Sequence, residues 1–415
     1  MSKSALFPRY AAPRLIEALA DSPVVLVHGP RQCGKTTLAR GVGERRRYTY
    51  VSFDDDVVRH AAEADPVGFV ADLPDRVILD EVQRVPGIFT ALKSAVDKAR
   101  KSGRFILTGS ANVLLLPKLA DSLAGRMEIL RLHPLSQCEL IERPARFLDV
   151  LFGNSFKMGK HARLAGELAK RIVAGGYPAA LARSSGRRRT VWYRDYLDAL
   201  VQRDVRDLAR ISSLDALPRL LSMAAAQTAR LQNVSELAAP FQLSRPTIRD
   251  YVTLLERVFL LDTLAPWHVN LASRLVKTPK LHLGDTGLAC TLLGLDAAAL
   301  FADRKLLGQL LETFVYQELR RQADWSGVAH TFYHYRDKDA YEVDIVIERG
   351  SQALTGVEVK ASATVTSADF RGLHRLKSAA GKRFVAGVVL YDGETAARFG
   401  DEMYAIPLRM LWETG

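Results

Sequence analysis

The sequence predicts an α/β protein in three parts: a parallel-sheet domain over residues 1–150, a helical middle over 160–275 and a second α/β domain over 300–415. Three observations carry that organisation. Short apolar runs at 24–27, 48–53, 77–79, 105–107 and 127–132 alternate with helical stretches, the rhythm of parallel strands joined by helices. From about 160 to 265 the β-like runs give way to helical periodicity, with ten Arg and five Asp but no Lys or Glu between Arg183 and Arg230. Beyond 300, a helix over 306–322 leads into alternating segments at 331–336, 341–348 and 354–360.

Composition narrows the class. With 48% hydrophobic and 25% charged residues over a 415-residue chain, the protein has the make-up of a folded globular molecule rather than a disordered one. The net charge is +12 and 42 of the 58 cations are Arg, whose planar fork matches phosphate and carboxylate, so an anionic partner such as nucleic acid is expected. Cys33, Cys138 and Cys290 are far apart with no metal-type spacing, and no basic-then-apolar leader precedes the first motif, which fits a reducing cytoplasmic location. No apolar window is long enough to span a bilayer, so no membrane partner is expected.

The strongest local signal is Gly29-Pro30-Arg31-Gln32-Cys33-Gly34-Lys35-Thr36-Thr37, which fits G-x-x-x-x-G-K-[ST] between a strand and a helix. Its glycines let backbone amides and the helix N-terminus point at phosphate oxygens, Lys35 reaches the β and γ phosphates, and the Thr36 hydroxyl ligates Mg²⁺. ATP and Mg²⁺ are therefore the expected ligands. Val77-Ile-Leu-Asp80-Glu81 ends a strand in two carboxylates, Asp80 to hold the metal through water and Glu81 to polarise the attacking water. Thr108 or Ser110, closing the strand at 105–107, could sense the γ-phosphate, and Arg126 could act as an arginine finger in its own subunit or across an interface in a homo-oligomer. Cys33 fills space or, at a helix N-terminus, forms an oxidisable thiol.

Taken in order, the phosphate loop, Ile-Leu-Asp-Glu-Val-Gln, Leu-Thr-Gly-Ser and Ser-Leu-Ala-Gly-Arg resemble the prokaryotic AAA-type P-loop ATPases that carry a C-terminal domain of unknown function. The run from Arg203 to Ile211 and the later Glu-Val-Asp and Glu-Val-Lys also fit that resemblance, which implies ATP binding, hydrolysis and a nuclease-like tail.

In the middle region, 233–255 reads as two helices across a tight turn, with Ser235 and Ser244 as N-caps, followed by an apolar run suited to a β-wing. The segment resembles winged-helix DNA-binding domains, in which Arg245, Thr247 and Arg249 would face a major groove; a structural lid is the other reading. Gly186-Arg-Arg-Arg189 with Trp192, Tyr193 and Tyr196 could grip phosphates and stack bases, or form a solvated face on which Arg203, Asp204, Arg206 and Asp207 pair locally.

Near the C-terminus, strand periodicity places Tyr341, Val343, Ile345 and Ile347 on one face and Glu342, Asp344 and Glu348 on the other, while Glu358 and Lys360 share a face two residues apart. Upstream, Gly308, Leu311, Glu312, Val315 and Leu319 follow helical spacing, which puts Glu312 inside an apolar stripe. Glu312, Asp344 and Glu358 could hold Mg²⁺ against a phosphodiester while Lys360 activates water. Asp followed by Glu-x-Lys resembles the restriction-endonuclease-like superfamily, with Glu312 at its upstream helical acid.

Two functions fit. One is an ATPase coupled to nucleic-acid binding, most readily DNA, and to cleavage by the C-terminal domain. The alternative is an ATP-driven regulatory switch whose nuclease-fold domain recognises without cutting.

Overall fold

A computed structural model describes residues 7–110, 123–202, 216–241 and 243–414. They form two compact units, one of Phe7–Leu135 with Arg257–Phe259, the other of Ser136–Glu256 with the chain from Leu260 on.

The first unit is built on five parallel strands, β1 (Val24–His28), β2 (Thr49–Ser52), β3 (Val77–Asp80), β4 (Phe105–Gly109) and β5 (Met127–Arg131), in the order β2-β3-β4-β1-β5. Both faces are covered, so β1, β3 and β4 are buried along their whole length and read as unbroken apolar runs. Val24, Leu26, Leu79, Phe105 and Leu107 pack on one side, and Val25, Val27, Ile78 and Ile106 on the other. Because every strand runs the same way in register, His28, Ser52, Asp80, Gly109 and Arg131 all come to one edge. That edge is where open parallel sheets bind ligands.

The second unit has two sheets. Strands β6 (Gly159–Lys160), β7 (Arg230–Leu231), β8 (Leu261–Leu264), β9 (Lys280–Leu283), β10 (His330–Arg336), β11 (Glu342–Arg349), β12 (Ala353–Lys360), β13 (Phe384–Tyr391), β14 (Thr395–Arg398) and β15 (Met403–Pro407) follow in chain order. The small antiparallel sheet is β7-β9-β8; the large mixed one is β10-β11-β12-β13-β15-β14-β6, with β12, β13 and β15 parallel. The expected middle and C-terminal domains share this unit, which begins at Ser136. The helix Gly166–Ala174 packs on Thr286–Leu292 and Ala297–Ala302, and the latter packs on Arg304–Trp325.

Asp285, 1% exposed and paired at 3.7 Å with Arg321 of the helix Arg304–Trp325, is one reason no linker separates them. It caps the helix Thr286–Leu292 through the Gly287 and Leu288 amides, and also accepts from the Gly176 amide and the Tyr193 hydroxyl.

Three local expectations change. The helix Val234–Ala238 is capped by Asn233, which accepts from the Ser235 and Glu236 amides, so Ser235 is not the cap; Ser244 does accept from the Thr247 amide at the start of Arg245–Arg257. Trp192, Tyr193 and Tyr196 are buried against Tyr177, with Trp192 and Tyr196 stacked at 5.1 Å, so these rings fill a core and are not free to stack bases. The run from Arg203 to Ile211, with Arg203, Asp204, Arg206 and Asp207, lies outside the described residues.

The third change concerns β11. Its pairing with β10 slips between Tyr333↔Val346 and Tyr335↔Val343, and this bulge breaks the alternation of faces. Val343 and Val346 therefore share one cluster with Trp267 and Phe370. Glu348 follows Val346 to that side rather than joining Asp344: it accepts from Trp267, both terminal nitrogens of Arg274, and Arg383.

Removing one partner of a buried, hydrogen-bonded charge costs about 3–5 kcal/mol. Asp285→Ala should lower the unfolding free energy of the second unit by about that much, read as a drop in urea midpoint; an unchanged midpoint would remove Asp285 from its place as the joint of this unit.

Candidate functional site

The phosphate loop leaves β1 through Gly29, whose φ is +154° and whose Cβ, were there one, would lie 2.0 Å from the Leu132 carbonyl oxygen. Only glycine fits there. Gly34, at φ +102°, turns the chain into the helix Lys35–Glu44 and leaves that helix's first amides pointing at the loop's hollow. Lys35 is 5% exposed and its ammonium donates to the loop's own carbonyls, Gly29 at 3.0 Å and Pro30 at 2.8 Å. Cys33 is fully buried with its thiol on the Leu132 carbonyl oxygen, so it fills space and is not an exposed oxidisable group.

Asp80, at the end of β3, is brought to Thr36: the threonine hydroxyl donates to the carboxylate at 3.1 Å. Thr108 also donates to Asp80, from a fully buried position. The hydroxyl expected to meet the γ-phosphate is thus engaged with Asp80. Glu81 sits at φ +58°, and its carboxylate accepts from Ser110 at 3.1 Å and from the Gln83 amide. Gln83 also donates to Ser110 at 3.0 Å, which closes a three-residue ring around the second acid.

Arg126 does not reach this edge. Val24 pairs with Met127 and His28 with Arg131, so Arg126 lies at the opposite end of the sheet, more than four residues of strand from the phosphate loop. There it makes a two-pronged pair with Asp97, Nε at 2.5 Å and Nη2 at 3.2 Å. A finger role within its own subunit is excluded by that separation of about 20 Å.

Two residues that sequence reasoning passed over belong to the edge. Tyr50, on β2, donates its hydroxyl to Asp80 at 2.6 Å, and burial together with that bond pushes the phenol up to about 12. Arg9 donates to the carbonyl oxygens of Cys33 and, at 2.6 Å, His133, tying the segment before the first helix to the phosphate loop. Neither carries a motif, and only the β2-β3 pairing brings Tyr50 to Asp80.

A second cluster lies in the other unit. Glu312, Asp344, Glu358 and Lys360 converge as expected, but a fifth residue stands among them. Lys280, the first residue of β9 and 4% exposed, donates to Glu312 at 2.7 Å and Asp344 at 3.1 Å. The other Asp344 oxygen accepts the Val359 amide at 3.0 Å, and Lys360 donates to Glu358 at 2.8 Å. Burial opposes the charge on Lys280, but Glu312 and Asp344 outweigh it and raise the ammonium above the ordinary lysine range. Burial likewise opposes Asp344, and here Lys280, the Val359 amide and Lys360 win and hold the carboxyl below its usual value. Burial and the Asp344 charge push Glu358 up to about 8 in spite of Lys360. Among the described residues, no group of three or more His, Cys, Asp or Glu side chains is disposed to hold a metal ion.

Comparison with known proteins bears on the first unit. Residues 21–141 match the AAA domain. The phosphate loop, Asp80 and Glu81 all fall inside that match, so the first unit carries an AAA-type ATPase domain. Beyond the AAA domain, residues 165–299 and 307–411 match two domains of unknown function, DUF8612 and DUF4143. Uncharacterized proteins of Mycobacterium bovis and Mycobacterium tuberculosis are each 29% identical over 98% of this chain and 85% of their own length. Among solved structures, a Walker-type ATPase of Pyrococcus abyssi is 16% identical over 70% of this chain and 97% of its own, at a TM-score of 0.46. The Thermotoga maritima RuvB Holliday junction branch migration motor is 18% identical over 62% and 89%, at a TM-score of 0.28. No helix of the described residues is long and apolar enough to cross a membrane.

A hydrogen bond to a charged acceptor contributes about 1.5–3 kcal/mol, so Tyr50→Phe should raise the Mg²⁺ concentration that half-saturates ATP hydrolysis by roughly tenfold without altering Mg²⁺-free nucleotide binding. Arg126→Ala should leave the turnover of dilute, monomeric protein unchanged. A Mg²⁺ dependence identical to wild type would show that Tyr50 does not position Asp80.

Proposed function

We propose that the protein is a Mg²⁺-dependent ATP hydrolase whose nucleotide cycle controls nucleic-acid engagement by its second unit. The observation that carries the reading is the meeting of Lys35, Thr36, Asp80 and Glu81 at one end of a parallel sheet, in a hollow shaped by a loop that requires glycine at 29 and 34. On binding, phosphate oxygens replace the Gly29 and Pro30 carbonyls as acceptors for Lys35, exchanging neutral partners for charged ones. Thr36 and Asp80 are the residues that would hold Mg²⁺, which when bound neutralises charge on the β and γ phosphates. Glu81, held by Ser110 and Gln83, orients the attacking water and accepts its proton. Thr108 and Tyr50 keep the Asp80 carboxylate aimed at Thr36.

Nucleic-acid engagement rests on the helices Val234–Ala238 and Arg245–Arg257 followed by the β8 and β9 pair, an order that supports a winged-helix reading. Arg245 and Arg249 are exposed on the second helix. For the C-terminal segment, Asp344 on β11, Glu358 and Lys360 on β12 and Glu312 on the preceding helix support a restriction-endonuclease-like fold. The second reading, a switch that recognises without cutting, is favoured by Lys280 within that cluster.

Two assays test this. Lys35→Ala should lose ATP binding, whereas Glu81→Gln should bind ATP normally and hydrolyse it at least about a hundredfold more slowly; unchanged hydrolysis in both would end the ATPase reading. Arg245→Ala and Arg249→Ala should each weaken DNA binding in fluorescence anisotropy by about 1–3 kcal/mol and relax any sequence preference. Wild-type affinity in both would move the DNA contact elsewhere.

A further inference from the structure

The geometry points to Lys280 as the resident cation of the C-terminal carboxylate cluster: its ammonium stands where a nuclease-like site would hold a divalent metal, and the wild-type domain is closed to metal-dependent cleavage. The inference rests on the nuclease-like reading of this domain and specifies what that domain does with its acids.

The acids do not fit a metal as they stand. An ion bridging Glu312 and Asp344 would lie against the Lys280 ammonium, which donates to Glu312 Oε1 at 2.7 Å and to Asp344 Oδ1 at 3.1 Å. The second Asp344 oxygen is held by the Val359 amide, and one Glu358 oxygen by Lys360. Glu358 Oε2 is buried without a hydrogen bond, and a single such oxygen does not make a metal site. A divalent ion placed here would also face an ammonium a few ångströms away, with the surrounding protein too dry to screen the repulsion.

Lys280 has no easy way out. It begins β9, the middle strand of the small sheet, paired with Leu231 on one side and Leu264 on the other. Its side chain is 5% exposed, so leaving Glu312 and Asp344 would strand an ammonium inside the protein. The cluster is thus an ionic clasp of three segments remote in sequence, β9 of the small sheet, the helix Arg304–Trp325 and β11 of the large sheet. Charge that would serve catalysis in an open site here fastens the small sheet to the large one.

The test is a Mn²⁺ titration followed by electron paramagnetic resonance on the full chain without nucleotide, comparing wild type, Asp344→Asn, Lys280→Ala and the double variant. Wild type should show no Mn²⁺ site that Asp344→Asn removes, and should not cut plasmid, linear or single-stranded DNA or RNA in Mg²⁺ or Mn²⁺. Lys280→Ala should gain one saturable Mn²⁺ per chain, lost again in the double variant. Lys280→Met, which keeps most of the side-chain volume, replaces Lys280→Ala if the latter does not fold, and the wild-type comparison decides even if neither does. An Asp344-dependent Mn²⁺ site or Asp344-dependent cleavage in wild type overturns the proposal, as does a folded Lys280 variant that gains no site. A gained site that supports no cleavage upholds the role of Lys280 and counts against the nuclease-like reading. ATP hydrolysis, measured in parallel, belongs to the other unit and stands or falls separately.

Discussion

An ion removed from water must find its opposite or a dense set of hydrogen bonds, and most of this molecule's architecture follows from that requirement. Asp80, Asp285 and Lys280 are all 4% exposed or less. Each draws distant segments to itself: Asp80 gathers Thr36, Tyr50 and Thr108 from three other elements, and Asp285 gathers Gly176 and Tyr193. Apolar burial supplies the bulk of the stability, but it is tolerant of register and rotation. The buried charges are not, because a shift of one residue turns a satisfied ion into an isolated one.

What could be read from the sequence follows from where the information sits. The phosphate loop is contiguous, and each of its residues has a local duty: a glycine where Leu132 crowds the backbone, another at a left-handed turn, a lysine and a threonine opening a helix. Such a motif can be recognised from the chain alone. The strand that delivers Asp80 was visible for a related reason, since a parallel strand buried on both faces is an apolar run and its end is marked by the first charge. Arg126 lies at the far end of its sheet, and spacing along the chain does not reveal which end of a strand a residue occupies. It precedes β5, and in a parallel sheet the residues before a strand lie away from the ligand edge.

The second unit was harder to read. Glu348 was grouped with Asp344 by a strict two-residue alternation, and a bulge whose only sequence trace is an ordinary Asp-Ile-Val step moved it to the other face. Trp192, Tyr193 and Tyr196 sit in an Arg-rich stretch that looks like a nucleic-acid surface, yet their spacing is also that of a helix burying one side, and Tyr177 completes the cluster from outside the helix. Lys280 left no signal. It lies 32 residues from Glu312 and 64 from Asp344, and only the pairing of β9 within the small sheet sets it beside them.

The two buried lysines show why one site can be open and the other closed. Lys35 donates to the carbonyls of Gly29 and Pro30, acceptors that carry a dipole but no net charge. Phosphate oxygens add a full opposite charge in the same geometry, so an incoming anion displaces the carbonyls downhill. Lys280 donates to two carboxylates instead, and nothing that enters from solvent is a better partner for an ammonium than those. A metal could claim the carboxylates only by leaving the ammonium buried and alone, a cost of about 3–5 kcal/mol before repulsion is added. The same side chain, equally buried, therefore primes one site for exchange with its ligand and seals the other, the difference being whether its partners carry charge.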